Sequence, residues 1–255
     1  MVGQLLVRGM LAGIAAGLLT FGFARLVGEP QVAQAIAFEA QAGEHHHGDE
    51  AEHHHHDEAE PELVSRETQA DLGLLTGVVA YGVSVGGLFS LVFAFAHGRV
   101  GRMSARTLSA WLAVGAFVSL VAVPTIKYPA NPPSIGDPDT IGYRTALYFV
   151  LLAVSVAVTV FSVNMRSHLA KRFGNWNASI LACGIFIALV TAVQLGFPAI
   201  NEAPPDFPAT LLWKFRLVAI GMQMIMWTVI GLLFGAWVEH SERRSREGEG
   251  RARVG

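Results

Sequence analysis

Residues 145–165 read "TALYFVLLAVSVAVTVFSVNM", a run without one charged side chain. As a helix it would extend about 30 Å, the thickness of a bilayer's hydrocarbon core. Five further apolar blocks stand around it, near 3–27, 72–96, 108–126, 178–197 and 211–238. None of the six contains Asp or Glu. Their only charges are Arg8 and Arg25 near the ends of the first block, and Lys214 and Arg216 near the start of the last. The 255-residue chain is 15% charged, against roughly 25% in a soluble domain, and its mean hydropathy is +0.44. These patterns predict an all-α, polytopic helical membrane protein of about six transmembrane helices, forming one membrane domain over 1–255.

The formal net charge of −2 conceals a segregation. With the N-terminus inside, Arg8, the loops "HGRVGRMSAR" and "RSHLAKRFGNWN" and the tail 239–255 carry 12 of the 18 Lys and Arg. The opposite side carries 16 of the 20 acids. Basic residues retained inside set orientation. The reading is therefore a multi-pass inner (plasma) membrane protein with both termini cytoplasmic and three acidic loops outside.

The first block ends near Ala33-Gln34-Ala35, which resembles a signal-peptidase site. Its apolar run is too long for a leader, however, and Arg25 interrupts the approach. Gly9, Gly13 and Gly17 repeat at the four-residue spacing of helices that pack closely in lipid. An uncleaved span is the favoured reading. The single cysteine, Cys183, allows no intramolecular disulfide.

The loop from 28 to 71 begins with "EPQVAQAIAFEAQA", read as a short helix on the membrane surface with Pro30 near its start and Val32, Ile36 and Phe38 on its apolar side. The tract "EHHHGDEAEHHHHDEAE" follows at 44–60, within a segment 43–62 read as disordered without metal. Its ligands are His45, His46, His47, His53, His54, His55 and His56, with Asp49 and Asp57 among the interleaved carboxylates. Neutral imidazole suits Zn, Cu, Fe and Ni ions and, by extension, Co(II). Runs of adjacent ligands imply several weak, exchangeable sites, weakened further as the imidazoles protonate near pH 6.5. The bland alternative is a solvated linker.

The two remaining outer loops echo each other. "YPANPPSIGDPDTIGYR" and "FPAINEAPPDFPATLLWKFR" each run aromatic-Pro-Ala, Asn, a Pro pair and then an arginine, Arg144 or Arg216, eleven residues beyond the second proline. Duplication of a helical hairpin would explain this, as in many transporters; recurrent helix-stopping prolines would as well. Asp137, Asp139, Glu202 and Asp206 are candidates for a cation vestibule. The same acids are equally suited to pair with Arg144, Lys214 and Arg216. Arg216 lies inside an apolar block, where a lone charge is costly, so Glu202 or Asp206 is its expected partner.

Within the spans, Met222, Gln223 and Met226 on the last block are candidate path residues. Methionine is more often a gap-filler, whereas an amide in lipid needs a partner. No P-loop, His-Glu-x-x-His or nucleophile-elbow motif is present. The chain is read as no enzyme, with no nucleic acid partner.

The pieces "GEPQVAQAIAFE", "SRETQADLGLLTGVVAYGVSVGGLFSLVFA", "PTIKYPANPPSIGDPDTIGYRT" and "NEAPPDFPATLLWKFRL" resemble the CbtA family of predicted cobalt transporter subunits. The resemblance implies a bacterial inner-membrane protein handling Co2+ as substrate, without a tightly bound cofactor and commonly linked to cobalamin supply. It also implies a small single-span, histidine-rich partner, CbtB-like, beside the lipid bilayer. Members are often given five spans, where charge placement here argues for six. The reading is the membrane subunit of a Co2+ uptake system. Its alternatives are a membrane-anchored metal-binding accessory without transport, or a Ni2+ or Zn2+ transporter.

Overall fold

The structure, a computed structural model, describes residues 2–46, 65–101, 103–133 and 135–252. Helices dominate throughout: α1 (Val2–Phe23), α2 (Glu29–His46), α3 (Arg66–Thr68), α4 (Leu74–Ala96), α5 (Ala105–Phe117), α6 (Val123–Lys127), α7 (Ile141–Gly196) and α8 (Ala209–Ala252). Among the described residues there is no strand. Five helical stretches are long and apolar enough to cross a membrane: Val2–Gln41, Gln69–Ala96, Ala105–Lys127, Pro138–Gly196 and Ala209–Ser245.

The fourth stretch is two helices. As one rod, 56 residues would extend about 84 Å. Yet Thr140, at one end, donates to Glu202 beyond the other at 2.7 Å. The chain turns at Gly174, whose φ of +76° and ψ of 165° belong to a region that L side chains avoid. Arg166 Nε reaches Ser179 Oγ across this turn at 2.9 Å, a distance of about 20 Å along an unbroken helix. Arms 141–173 and 175–196 thus form a helical hairpin, giving six apolar helices among the described residues. The inner loop expected at 166–177 is corrected: it is helical up to a turn centred on one glycine.

Contacts divide the chain into two compact units, 1–113 with 132–134 and 208–255, and 114–131 with 135–207. In the first, α1 and α4 pack backbone to backbone. A Cβ on Gly13 would meet the Gly82 carbonyl, and one on Gly9 the Gly86 carbonyl, both far inside contact distance. Without a hydrophobic driving force between helices in lipid, such close approach supplies the packing. The four-residue glycine spacing of α1 therefore does what the sequence predicted, against a second pair, Gly82 and Gly86, on α4. Phe89, Phe93, Trp227 and Phe234 fill the space between α4 and α8, with Phe89 and Phe234 edge to face at 5.6 Å. Ser109 on α5 donates to Gly231 O on α8 at 2.6 Å.

Two boundaries differ from expectation. The surface helix has no start of its own, because α2 continues α1 through a π-helical turn, Ala24–Gly28. There the Glu29 N–H bonds to Ala24 O, so the ladder has already shifted register before Pro30 withholds its donor. The basic tail also continues α8 as helix as far as Ala252. Its extension is held by Arg8 to Ser241 at 2.8 Å, His97 to Glu242 at 3.5 Å and Arg106 to Glu239 at 3.8 Å, one contact from each of α1, the end of α4, and α5.

Candidate functional site

Within the second unit, residues 128–131 and 135–140 of one proline-rich loop lie against 197–207 of the other. Tyr128 Oη donates to Pro198 O at 3.0 Å. Burial, followed by neighbouring Tyr143, pushes the Tyr128 phenol up, keeping it a donor. The main link is Glu202. Its Oε2 accepts from the Asp137 N–H at 2.8 Å and from Arg144 Nη1 at 3.1 Å, and its Oε1 from Thr140 Oγ1 at 2.7 Å. The Asp137 N–H first, then the Thr140 hydroxyl and the Arg144 charge, hold its carboxyl below the usual range, outweighing burial that pulls the other way.

Local sequence explains this arrangement. Asp137 caps the short turn Pro138–Thr140, its Oδ1 accepting from Asp139 N at 2.9 Å. Gly136 has φ +130°, and the Arg144 guanidinium occupies the place its Cβ would take. From there Arg144 Nη2 donates to Asp137 O at 3.0 Å. Glu202 is therefore a clamp with both oxygens engaged, the structural role weighed for it in the sequence. Asp137, Asp139 and Asp206 have exposed side chains on the same pair of loops.

The remaining described candidates stand on α8. Arg216 stands in the second turn of α8. Met226 is 2% exposed among core side chains, as expected of a gap-filler, and Met222 and Gln223 are half-buried on the same helix. The Gln223 Oε1 is buried and receives no hydrogen bond among the described residues. His47, His53, His54, His55, His56, Asp49 and Asp57 lie outside the described residues; so do the side chains of His45 and His46, which end α2. Among the described residues no three His, Cys, Asp or Glu side chains gather as a metal site.

An all-helical fold with five apolar stretches, one of them a hairpin, defines a polytopic membrane protein. The family model described as "Probable cobalt transporter subunit (CbtA)" matches residues 2–239, nearly the whole chain, and the chain belongs to that family. Comparisons with curated proteins and with solved structures give no match.

Proposed function

We propose that this chain is the membrane subunit through which Co2+ enters the cell. The proline-rich loops would form its outer mouth, and the histidine and acid tract would concentrate metal before it. The observation that carries this reading is the loop pair. Glu202 fastens two segments far apart in sequence and leaves Asp137, Asp139 and Asp206 exposed beside them. Carboxylates held on a rigid frame attract a hydrated divalent cation without trapping it, which suits a vestibule. Membership of a family described as a probable cobalt transporter subunit supports cobalt as the substrate.

In this reading both termini are cytoplasmic, following the positive-inside rule. Inside the bilayer Gln223, with its open acceptor, is the polar group on the path, and Met222 and Met226 line the same helix. The acid-free spans leave the path sparse, and a small single-span, histidine-rich partner would complete it. Uptake of radiolabelled Co2+ into cells expressing this chain, with and without that partner, tests the proposal. Uptake that the partner increases supports it. Metal binding without uptake in either case would replace it with a binding accessory, and inhibition by Ni2+ or Zn2+ at lower concentration than Co2+ would reassign the substrate.

A further inference from the structure

Arm 175–196 ends with Pro198 four residues beyond Gln194. Proline has no N–H, so the Gln194 carbonyl lacks the donor that its i+4 neighbour would supply. The Phe197 N–H goes to Val193 O at 3.1 Å, and the missing donor comes from a side chain. Lys127, the last residue of α6, donates from Nζ to Gln194 O at 2.8 Å. The Gln194 amide turns back to the same helix, Nε2 donating to Val123 O at 2.7 Å. Its Oε1 is buried and receives no hydrogen bond among the described residues. Four residues beyond Gln194, Pro198 O accepts from the Tyr128 hydroxyl at 3.0 Å.

This corner is made of acceptors at a helix C-terminus, the negative end of the peptide dipoles. Lys127 brings a positive charge to it. Among the described residues no carboxylate lies within ion-pair distance of Lys127, whereas Arg25, Arg66 and Arg144 each hold one. An ammonium donates N–H to these oxygens, and a hydrated divalent cation donates its water protons to the same set. Neutral oxygens bind either weakly enough to let it pass on.

We propose that this corner is a cation site in the mouth, and that the Lys127 ammonium is its tethered resting occupant, displaced by the incoming divalent cation. The proposal rests on the uptake reading for its purpose, but the displacement is a binding event that can be measured without transport.

The full-length chain in lipid vesicles is treated with an amine-acylating reagent, with and without Co2+, and acylation of its three lysines is read by mass spectrometry. Co2+ is expected to raise acylation of Lys127 several-fold and to leave Lys171 and Lys214 unchanged. Unchanged or reduced acylation of Lys127 would overturn the proposal. In uptake, Lys127→Met should lower the half-saturating Co2+ concentration several-fold, while Lys127→Arg keeps the wild-type value. A lysine that merely caps the helix would instead cost Lys127→Met maximal rate with half-saturation unmoved, and that result also overturns it. Absence of uptake together with Co2+-dependent acylation would sink the uptake reading and leave the site standing.

Discussion

Arg25 Nε donates to Asp71 Oδ1 at 2.6 Å, and each residue stands in a π-helical turn, Ala24–Gly28 and Gln69–Gly73. Glu29 and Arg66 pair beside them, so two ion pairs close the base of the segment that carries the histidine tract. Both side chains of the Arg25–Asp71 pair are about half exposed, where such pairs contribute about 0–1 kcal/mol. A double-mutant cycle of Arg25→Gln and Asp71→Asn, followed by denaturation in detergent, should therefore give a coupling below about 1 kcal/mol. A much larger coupling would mean that the pair holds α1 to α4, a task assigned here to the glycines.

Those glycines give the second prediction. Gly13→Leu inserts a side chain where the Gly82 backbone stands, and overpacking of this kind costs about 1–3 kcal/mol or more. The variant should lose the folded protein from detergent extracts on heating well before wild type. Gly77→Ala, on the same helix as Gly82 with nothing within 4 Å of its new Cβ, should melt like wild type. Equal behaviour of the two variants would refute the close α1–α4 packing.

The turn at Gly174 decides between one long helix and a hairpin. In a Cys183→Ala background, Arg166→Cys with Ser179→Cys should be joined within one chain by a short bifunctional thiol reagent, because the native side chains touch at 2.9 Å. Gly174→Val should lower stability by about 1–3 kcal/mol, the cost of a side chain in that backbone region. Failure of the two cysteines to join would return the segment to a single rod.

Glu202 makes the loop clamp sensitive to acid in a defined direction. Its carboxyl is held below the ordinary range, first by the Asp137 N–H. The stabilisation is therefore complete above the ordinary carboxylate pKa, about 4.3, and is lost only as pH falls through the lowered value. The tract's imidazoles protonate earlier, near pH 6.5. Hydrogen exchange at the Asp137 amide should accordingly stay slow from pH 7 to 5 after correction for intrinsic rate, while Co2+ retention by the chain falls over that interval. In Glu202→Gln the Asp137 amide should exchange faster at every pH. Parallel loss of both properties would tie the clamp to the tract.

Much of this fold is legible in the sequence because lipid imposes strong rules. The six acid-free blocks, Gly9-Gly13-Gly17 and the paired Pro-rich loops each announce a helix, a contact or a turn. Their partners are less visible. Gly82 and Gly86 repeat the α1 spacing and were readable as its match, but nothing local ties them to Gly13. Around Gly174 the run "RFGNWN" reads as a loop, and what the sequence does not reveal is that helix continues on both sides to a turn centred on one backbone angle. Lys127 and Gln194 meet across 67 residues; the single local clue was Pro198, four positions beyond Gln194, which strips a carbonyl of its donor. Glu202 was readable either as a vestibule ligand or as an ion-pair partner, and both of its oxygens are engaged by Asp137, Thr140 and Arg144; residue type alone does not reveal which oxygens are already taken.

The most direct test of Co2+ uptake by this chain compares the concentration dependence of radiolabelled Co2+ entry for the full chain and for a variant lacking residues 44–60, each expressed with the partner. The full chain should take up Co2+ saturably, and the deletion should raise the half-saturating concentration while keeping most of the maximal rate. No uptake by either chain would contradict the proposed function, and loss of all uptake in the deletion alone would place the tract in the path itself.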